Sequence, residues 1–182
     1  DIGDAITTMA LTKVKNMCRE GKGLIVLTGN AGHGKTFIAR EILLDFQGKD
    51  RNSDEDKKLV MDQLNGEELK DPGIEHEGKK LAMHLDLSHT GSDAIPYLEK
   101  ALKQAEEKVT LVCVNEGRLR VLISEWEGDE KIRQRVEDGL EDCVRSGVAS
   151  RKDDLYFINL NYQSVVAGGR DSILESALKA WV

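Results

Sequence analysis

The sequence predicts an α/β domain in three layers: a mainly parallel β-sheet with helices packed on both faces. Three observations carry that expectation. Short, continuous aliphatic runs recur at 24–28, 81–87, 109–114 and 155–160, as in strands buried on both sides. The stretches between them carry apolar residues at helical spacing, and strands alternating with helices build parallel sheets. The first run also passes directly through a glycine-rich octet, Gly29-Asn30-Ala31-Gly32-His33-Gly34-Lys35-Thr36, into a helical pattern.

Each element has its own signal. In the segment 4–19, Ile6, Met9, Ala10, Val14 and Met17 form one helical stripe, which the glycines at 21 and 23 end. Leu24-Ile25-Val26-Leu27-Thr28 is the first strand. After the octet, 36–46 reads as a helix with Phe37, Ile38, Ile42, Leu43 and Phe46 inward. From 47 to 80 the chain turns dense in Asp, Glu and Lys. It reads as a charged surface insertion with one short helix near 56–64 and mobile elsewhere. The second strand is 81–87. Ser92 or Asp93 caps a helix running to 108, with Pro96 tolerated in its first turn. The third strand, 109–114, ends at Asn115-Glu116, and helices follow at 118–126 and 129–146. The fourth strand, 155–160, ends at Asn161, and Asp171 caps a last helix at 172–181. The whole reads as a single domain over 1–182.

Bulk properties exclude several classes. The chain has 182 residues, 40% hydrophobic and 32% charged, with a formal net charge of −7. That sign argues against a surface that coats nucleic acid. No apolar run reaches the length of about 20 residues needed to span a bilayer, and no leader precedes the first helix. No membrane partner is therefore expected. Three scattered cysteines, Cys18, Cys113 and Cys143, read as reduced thiols and a cytoplasmic setting.

The octet carries the chemistry. Gly29-x-x-x-x-Gly34-Lys35-Thr36 has P-loop spacing in the required strand-to-helix context. Its glycines let backbone N–H groups converge on a phosphate while the helix start adds its positive dipole end. The expected nucleotide contacts are Gly29, Asn30, Ala31, Gly32, His33, Gly34, Lys35, Thr36 and Phe37. Lys35 reaches the β- and γ-phosphates and the Thr36 hydroxyl ligates Mg²⁺. His33 holds a variable position and is not read as catalytic. No Asn-Lys-x-Asp guanine-reading motif occurs, so ATP is the expected cofactor together with Mg²⁺. A second acidic site at a neighbouring strand end decides what happens to the nucleotide. Two candidates exist, Asn115-Glu116 and Asp86.

In its order of elements, over about 4–170, the chain resembles the core of the AAA+ ATPases: leading helix, P-loop strand, second strand, acidic strand, then a strand ending in a polar sensor. That family ends its third strand in Asp-Glu. The resemblance makes Glu116 the base that activates water. Asn115 stands where the family's Asp holds the Mg²⁺ shell, and there it is expected to hold a magnesium-bound water through its carbonyl oxygen. Asn161 becomes the sensor that orients the water, and Arg170 an arginine finger acting on a neighbouring subunit. The family's helical lid is absent, so the chain reads as an N-terminal fragment of a larger protein. More narrowly, Leu-Thr-Gly-Asn-Ala-Gly-His-Gly-Lys-Thr with Val-Asn-Glu-Gly-Arg-Leu is similar to ATPase subunits of bacterial phosphorothioation-dependent DNA restriction systems. The resemblance implies ATP hydrolysis to ADP and phosphate in a homo-oligomer or multi-subunit complex. The work is conformational, on a protein or on DNA reached through partners.

Two other readings remain open at the level of sequence. Asp86 is the working acid in a small P-loop kinase, with the 47–80 insertion near the acceptor. Alternatively, the neutral Asn115 makes the domain a nucleotide switch that hydrolyses little. His84, Asp86 and His89 lack a third well-placed ligand and read as strand-end polar residues rather than a metal site.

Overall fold

The computed structural model describes residues 9–30, 32, 34–87, 94–146, 149–152 and 154–162. Their order is α1 (Met9–Glu20), β1 (Gly23–Thr28), α2 (Lys35–Phe46), α3 (Asp54–Leu64), a 3-10 turn (Glu67–Leu69), β2 (Ile74–His76), β3 (Lys79–His84), α4 (Ala94–Gln104), β4 (Val109–Val114), α5 (Glu116–Ser124), α6 (Glu130–Ser146), β5 (Ala149–Lys152) and β6 (Leu155–Asn159). A second 3-10 turn, Leu160–Tyr162, follows. The helix expected at 172–181 lies outside the described residues.

The six strands form one mixed sheet in the order β2-β3-β4-β1-β6-β5. Its centre is parallel, with β3 on β4, β4 on β1 and β1 on β6. Both edges are antiparallel hairpin partners, β2 on β3 and β5 on β6. The expectation of a mainly parallel sheet therefore holds for the four inner strands and not for the edges. β1 sits mid-sheet and is buried along its whole length, as its unbroken aliphatic run requires.

Alternation along each strand divides the core. Ile25, Leu27, Leu81, Met83, Leu111 and Cys113 pack against α1, α2 and α3. Leu24, Val26, Val112, Val114, Leu155 and Phe157 pack against α4, α5 and α6. Helices thus cover both faces, giving three layers. On the second face α6 approaches β6 through Gly139: a Cβ there would lie 2.5 Å from the Phe157 ring.

The stretch 47–80 departs from its reading as a mobile surface insertion. It carries α3, a 3-10 turn and β2, and Val60, Leu64 and Leu69 are buried in the first-face core. Ser53 starts α3 by accepting a hydrogen bond from the Asp56 amide (3.2 Å). Three buried aliphatic anchors are enough to dock a segment whose other residues remain solvated.

Candidate functional site

The connection from β1 to β3 carries α2 and α3 across one face, past β4. That from β4 to β6 carries α5 and α6 across the other face, past β1. The chain leaves the adjacent carboxyl ends of β1 and β4 toward opposite faces, which opens the crevice where α/β sheets bind ligands.

The glycine-rich loop lies in that crevice. Gly32 and Gly34 adopt φ of 81° and 84°, a left-handed conformation that costs any other residue roughly 1–2 kcal/mol. The first hydrogen bond of α2 runs from the Ile38 amide to the Gly34 carbonyl (2.9 Å). The amides of Lys35, Thr36 and Phe37 therefore face out of the helix start with no partner inside it. The Lys35 ammonium donates to the carbonyls of Gly29 (2.7 Å) and Asn30 (2.9 Å), which uses two of its three donors. Thr36 is exposed at the loop. The Phe37 ring lies under the Arg40 guanidinium, 5.0 Å away, so this residue offers the crevice only its backbone. Ala31, His33 and Arg170 lie outside the described residues.

Glu116, in the first turn of α5, is the hub of the opposite wall. Its Oε2 accepts from the side-chain amides of Asn159 (2.7 Å) and Asn161 (2.9 Å), and its Oε1 from the Arg120 guanidinium (3.1 and 2.8 Å). Asn161 in turn accepts the Asn30 amide at Oδ1 (2.9 Å), tying this wall to the glycine-rich loop. Burial alone would raise the Glu116 carboxyl. The hydrogen bonds from Asn159, Arg120 and Asn161 outweigh it and hold the group below its ordinary range. The structure thus joins the loop, Glu116 and Asn161 through hydrogen bonds, a grouping the family resemblance implied. It adds Asn159 and Arg120, which sequence reasoning missed. The spacing of Glu116 and Arg120, four apart on one helix, was a usable signal, as was an asparagine inside an otherwise apolar strand.

Asn115 takes a different part. Its Oδ1 is the N-cap of α5, accepting the amides of Gly117 (2.9 Å) and Arg118 (3.4 Å). Both lone pairs are engaged, and what remains is an NH₂ donor. The oxygen through which a magnesium-bound water was expected is therefore committed to the helix.

Asp86 follows β3, two strands or about 10 Å across the sheet from β1. Cys113, on the strand between them, is pushed up to about 12 by burial, with Lys35 lowering and Asp86 raising its proton affinity. β3, β4 and β1 run parallel, so Asp86, just past β3, lies at the same carboxyl edge of the sheet as the loop. Cys18, Cys113 and Cys143 are all free thiols.

These residues fit a phosphate group: outward amides, a helix start and an ammonium converge at one loop. For Mg²⁺ the loop offers the exposed Thr36 hydroxyl as a protein oxygen. Among the described residues no group of three His, Cys, Asp or Glu side chains gathers for a metal. Phosphate oxygens and water would complete the shell, the usual way this ion is held. No helix among the described residues is long and apolar enough to cross a membrane. Comparison with protein-family models, with curated proteins and with solved structures finds no match to this chain.

Proposed function

We propose that this domain binds Mg²⁺-ATP at the carboxyl ends of β1 and β4 and hydrolyses it to ADP and phosphate. The observation that carries the reading is the loop Gly29–Thr36, with Gly32 and Gly34 left-handed, three outward amides and the Lys35 ammonium at one helix start. Bound Mg²⁺ would neutralise charge on the β- and γ-phosphates, with Thr36 among its ligands. Lys35 exchanges its loop carbonyls for phosphate oxygens and screens charge that builds during transfer. Water forms the new bond to the γ-phosphorus as the bond to the β–γ bridging oxygen breaks.

Glu116 is the residue we assign to that water, and its surroundings gate it. All four acceptor positions of its carboxylate are engaged, so it takes a proton from water only after a donor withdraws. Arg120, with about half its side chain exposed (51%), is the donor that leaves at least cost. Asn161 orients the water while tied to the loop. Resting hydrolysis is accordingly slow. As the resemblance implies, turnover drives a conformational step on a DNA or protein client within a homo-oligomer or larger complex.

A second reading replaces Glu116 by Asp86. It is supported by the engagement of the Asn115 oxygen and by the place of Asp86 just past β3, at the carboxyl edge of the sheet. The two separate by measuring ATP affinity and turnover on Lys35→Ala, Glu116→Gln and Asp86→Asn. Unchanged ATP affinity in Lys35→Ala refutes the site itself. Full turnover in Glu116→Gln with none in Asp86→Asn refutes the role of Glu116.

A further inference from the structure

A cleft of ≈ 650 Å³ opens between the start of α4, the side of α5 and the turn that leads into α6. It lies on the sheet face away from α1, α2 and α3. Its volume falls within the range of ligand pockets, about 300–1,000 Å³. Ile95 and Pro96 of α4 and Leu122 of α5 give it an apolar wall.

The lip is acidic, and its carboxylates differ in how they are held. Glu99 Oε1 accepts the Asp129 amide (3.0 Å), and Gly128 packs against that oxygen with no room for a Cβ. Glu99 is thus fixed in place with acceptor positions to spare. Glu125 and Glu127 are exposed, and neither side chain makes a hydrogen bond or ion pair among the described residues. Their neighbours are engaged: Asp129 accepts the amides of Lys131 (2.8 Å) and Ile132 (3.3 Å), and Glu130 pairs with Arg133 (2.6 Å). Among the described residues that line the cleft, Arg118 is the single cation against three carboxylates. Negative charge is left in excess.

Charge and shape together select the occupant. The excess repels anions, nucleic acid included, and a bare metal ion makes no use of an apolar wall. A Lys or Arg side chain carries a cationic head on an aliphatic stem, the complement of a carboxylate lip over such a wall. Val121 separates a peptide from a free amine. It is a large hydrophobic left 39% exposed, and its spacing from Arg118, Leu122 and Glu125 puts it on the same side of α5 as those lining residues. Apolar ground therefore continues past the cleft, where a residue flanking the Lys or Arg comes to rest.

We infer that this cleft docks a segment of a partner protein in which a Lys or Arg stands between aliphatic residues. The cationic head meets Glu99, Glu125 and Glu127, the stem lies on Ile95, Pro96 and Leu122, and a flanking aliphatic side chain covers Val121. The inference does not rest on the nucleotide reading.

The test titrates the full chain, ¹⁵N-labelled and without nucleotide, with the end-blocked peptide Gly-Leu-Lys-Leu-Gly and its Arg counterpart. Controls are the same peptide with Glu in place of Lys, with Gly in place of both Leu, and butylamine as a free amine. The Lys or Arg peptide should saturably shift the amides of Ile95, Val121, Leu122, Glu127 and Gly128. Glu125→Gln/Glu127→Gln, at exposed positions with no partner to lose, should weaken that binding about two- to tenfold, the range of two exposed ion pairs. Val121→Ser should weaken it about two- to fivefold. Glu55→Gln, on α3, and Lys35→Ala should leave it unchanged. No saturable shift with either basic peptide overturns the inference, as does equally tight binding of the Glu peptide, the Gly-flanked peptide or butylamine. Cleft resonances that move on dilution of the chain alone also overturn it, by assigning the cleft to a second copy.

Discussion

Glu116→Gln keeps the shape of the side chain and removes its charge, and the structure lets its effect on stability be worked out. Two charge-assisted bonds from Asn159 and Asn161 become bonds to a neutral oxygen, each losing about 1 kcal/mol. The new NH₂ group faces the Arg120 guanidinium, donor against donor. Arg120 is 51% exposed and swings into water, so that loss is only about 0.5 kcal/mol. The sum is about 2.5 kcal/mol, a fall in Tm of about 5–10 °C for a domain of this size. Calorimetry and urea midpoints at neutral pH measure it. The gap has a pH signature. The folded-state proton affinity of Glu116 is depressed below its ordinary 4.5, so its stabilisation is present above that pH and is lost as pH falls below it. A Glu116→Gln variant melting within about 1 °C of wild type, with no narrowing of the gap in acid, would refute the hub. Turnover of this variant has to be assayed below its reduced Tm.

Three further predictions follow from separate contacts. Arg120→Ala frees Glu116 Oε1 and should raise basal ATP turnover about two- to fivefold, the range of an exposed ion pair; unchanged turnover would leave Asp86 as the better assignment. Gly139→Ala gains about 1 kcal/mol of helix propensity but forces a methyl to 2.5 Å from the buried Phe157 ring. Overpacking of that kind costs about 1–3 kcal/mol, so urea denaturation should show net destabilisation, relieved in Gly139→Ala/Phe157→Leu. His84 is held below its ordinary 6.5 by burial, against the raising effect of the hydrogen bond it donates to Gln104 and aided by Lys100, Lys70 and Lys108. The unfolded chain then binds more protons than the folded one near that pH. Stability should rise as pH climbs through 6.5, and the slope should vanish in His84→Phe.

What the sequence disclosed follows the physics of burial. β4 matches the run 109–114 residue for residue, because a strand covered on both faces must be apolar throughout. β2 and β5 were missed: Ile74-Glu75-His76 and Ala149-Ser150-Arg151-Lys152 sit at the sheet edges, where solvent permits charges and erases the pattern. In the 47–80 stretch, Val60, Leu64 and Leu69 were too few among charges to betray docking. The loop was legible because its chemistry is local. Asn115 had two compatible roles, since an asparagine between a strand and an acidic first turn is also an N-cap. Only the geometry shows the cap in place. The Glu116–Asn159–Asn161 cluster joins positions more than forty apart in sequence, which no spacing rule reaches.

The antiparallel margins bear on how copies of this chain could meet. Among the described residues, the outermost strands are three and four residues long. Arg151 is clamped to Glu20 (2.9 and 2.7 Å) and Lys152 to Asp138 (2.9 Å). Short, charged rims of this kind are how sheets resist lateral annealing. A ring or filament of this domain would therefore be built from helix surfaces and loop tips. Its subunits would stay free to tilt against one another, which a continuous sheet across the boundary would forbid.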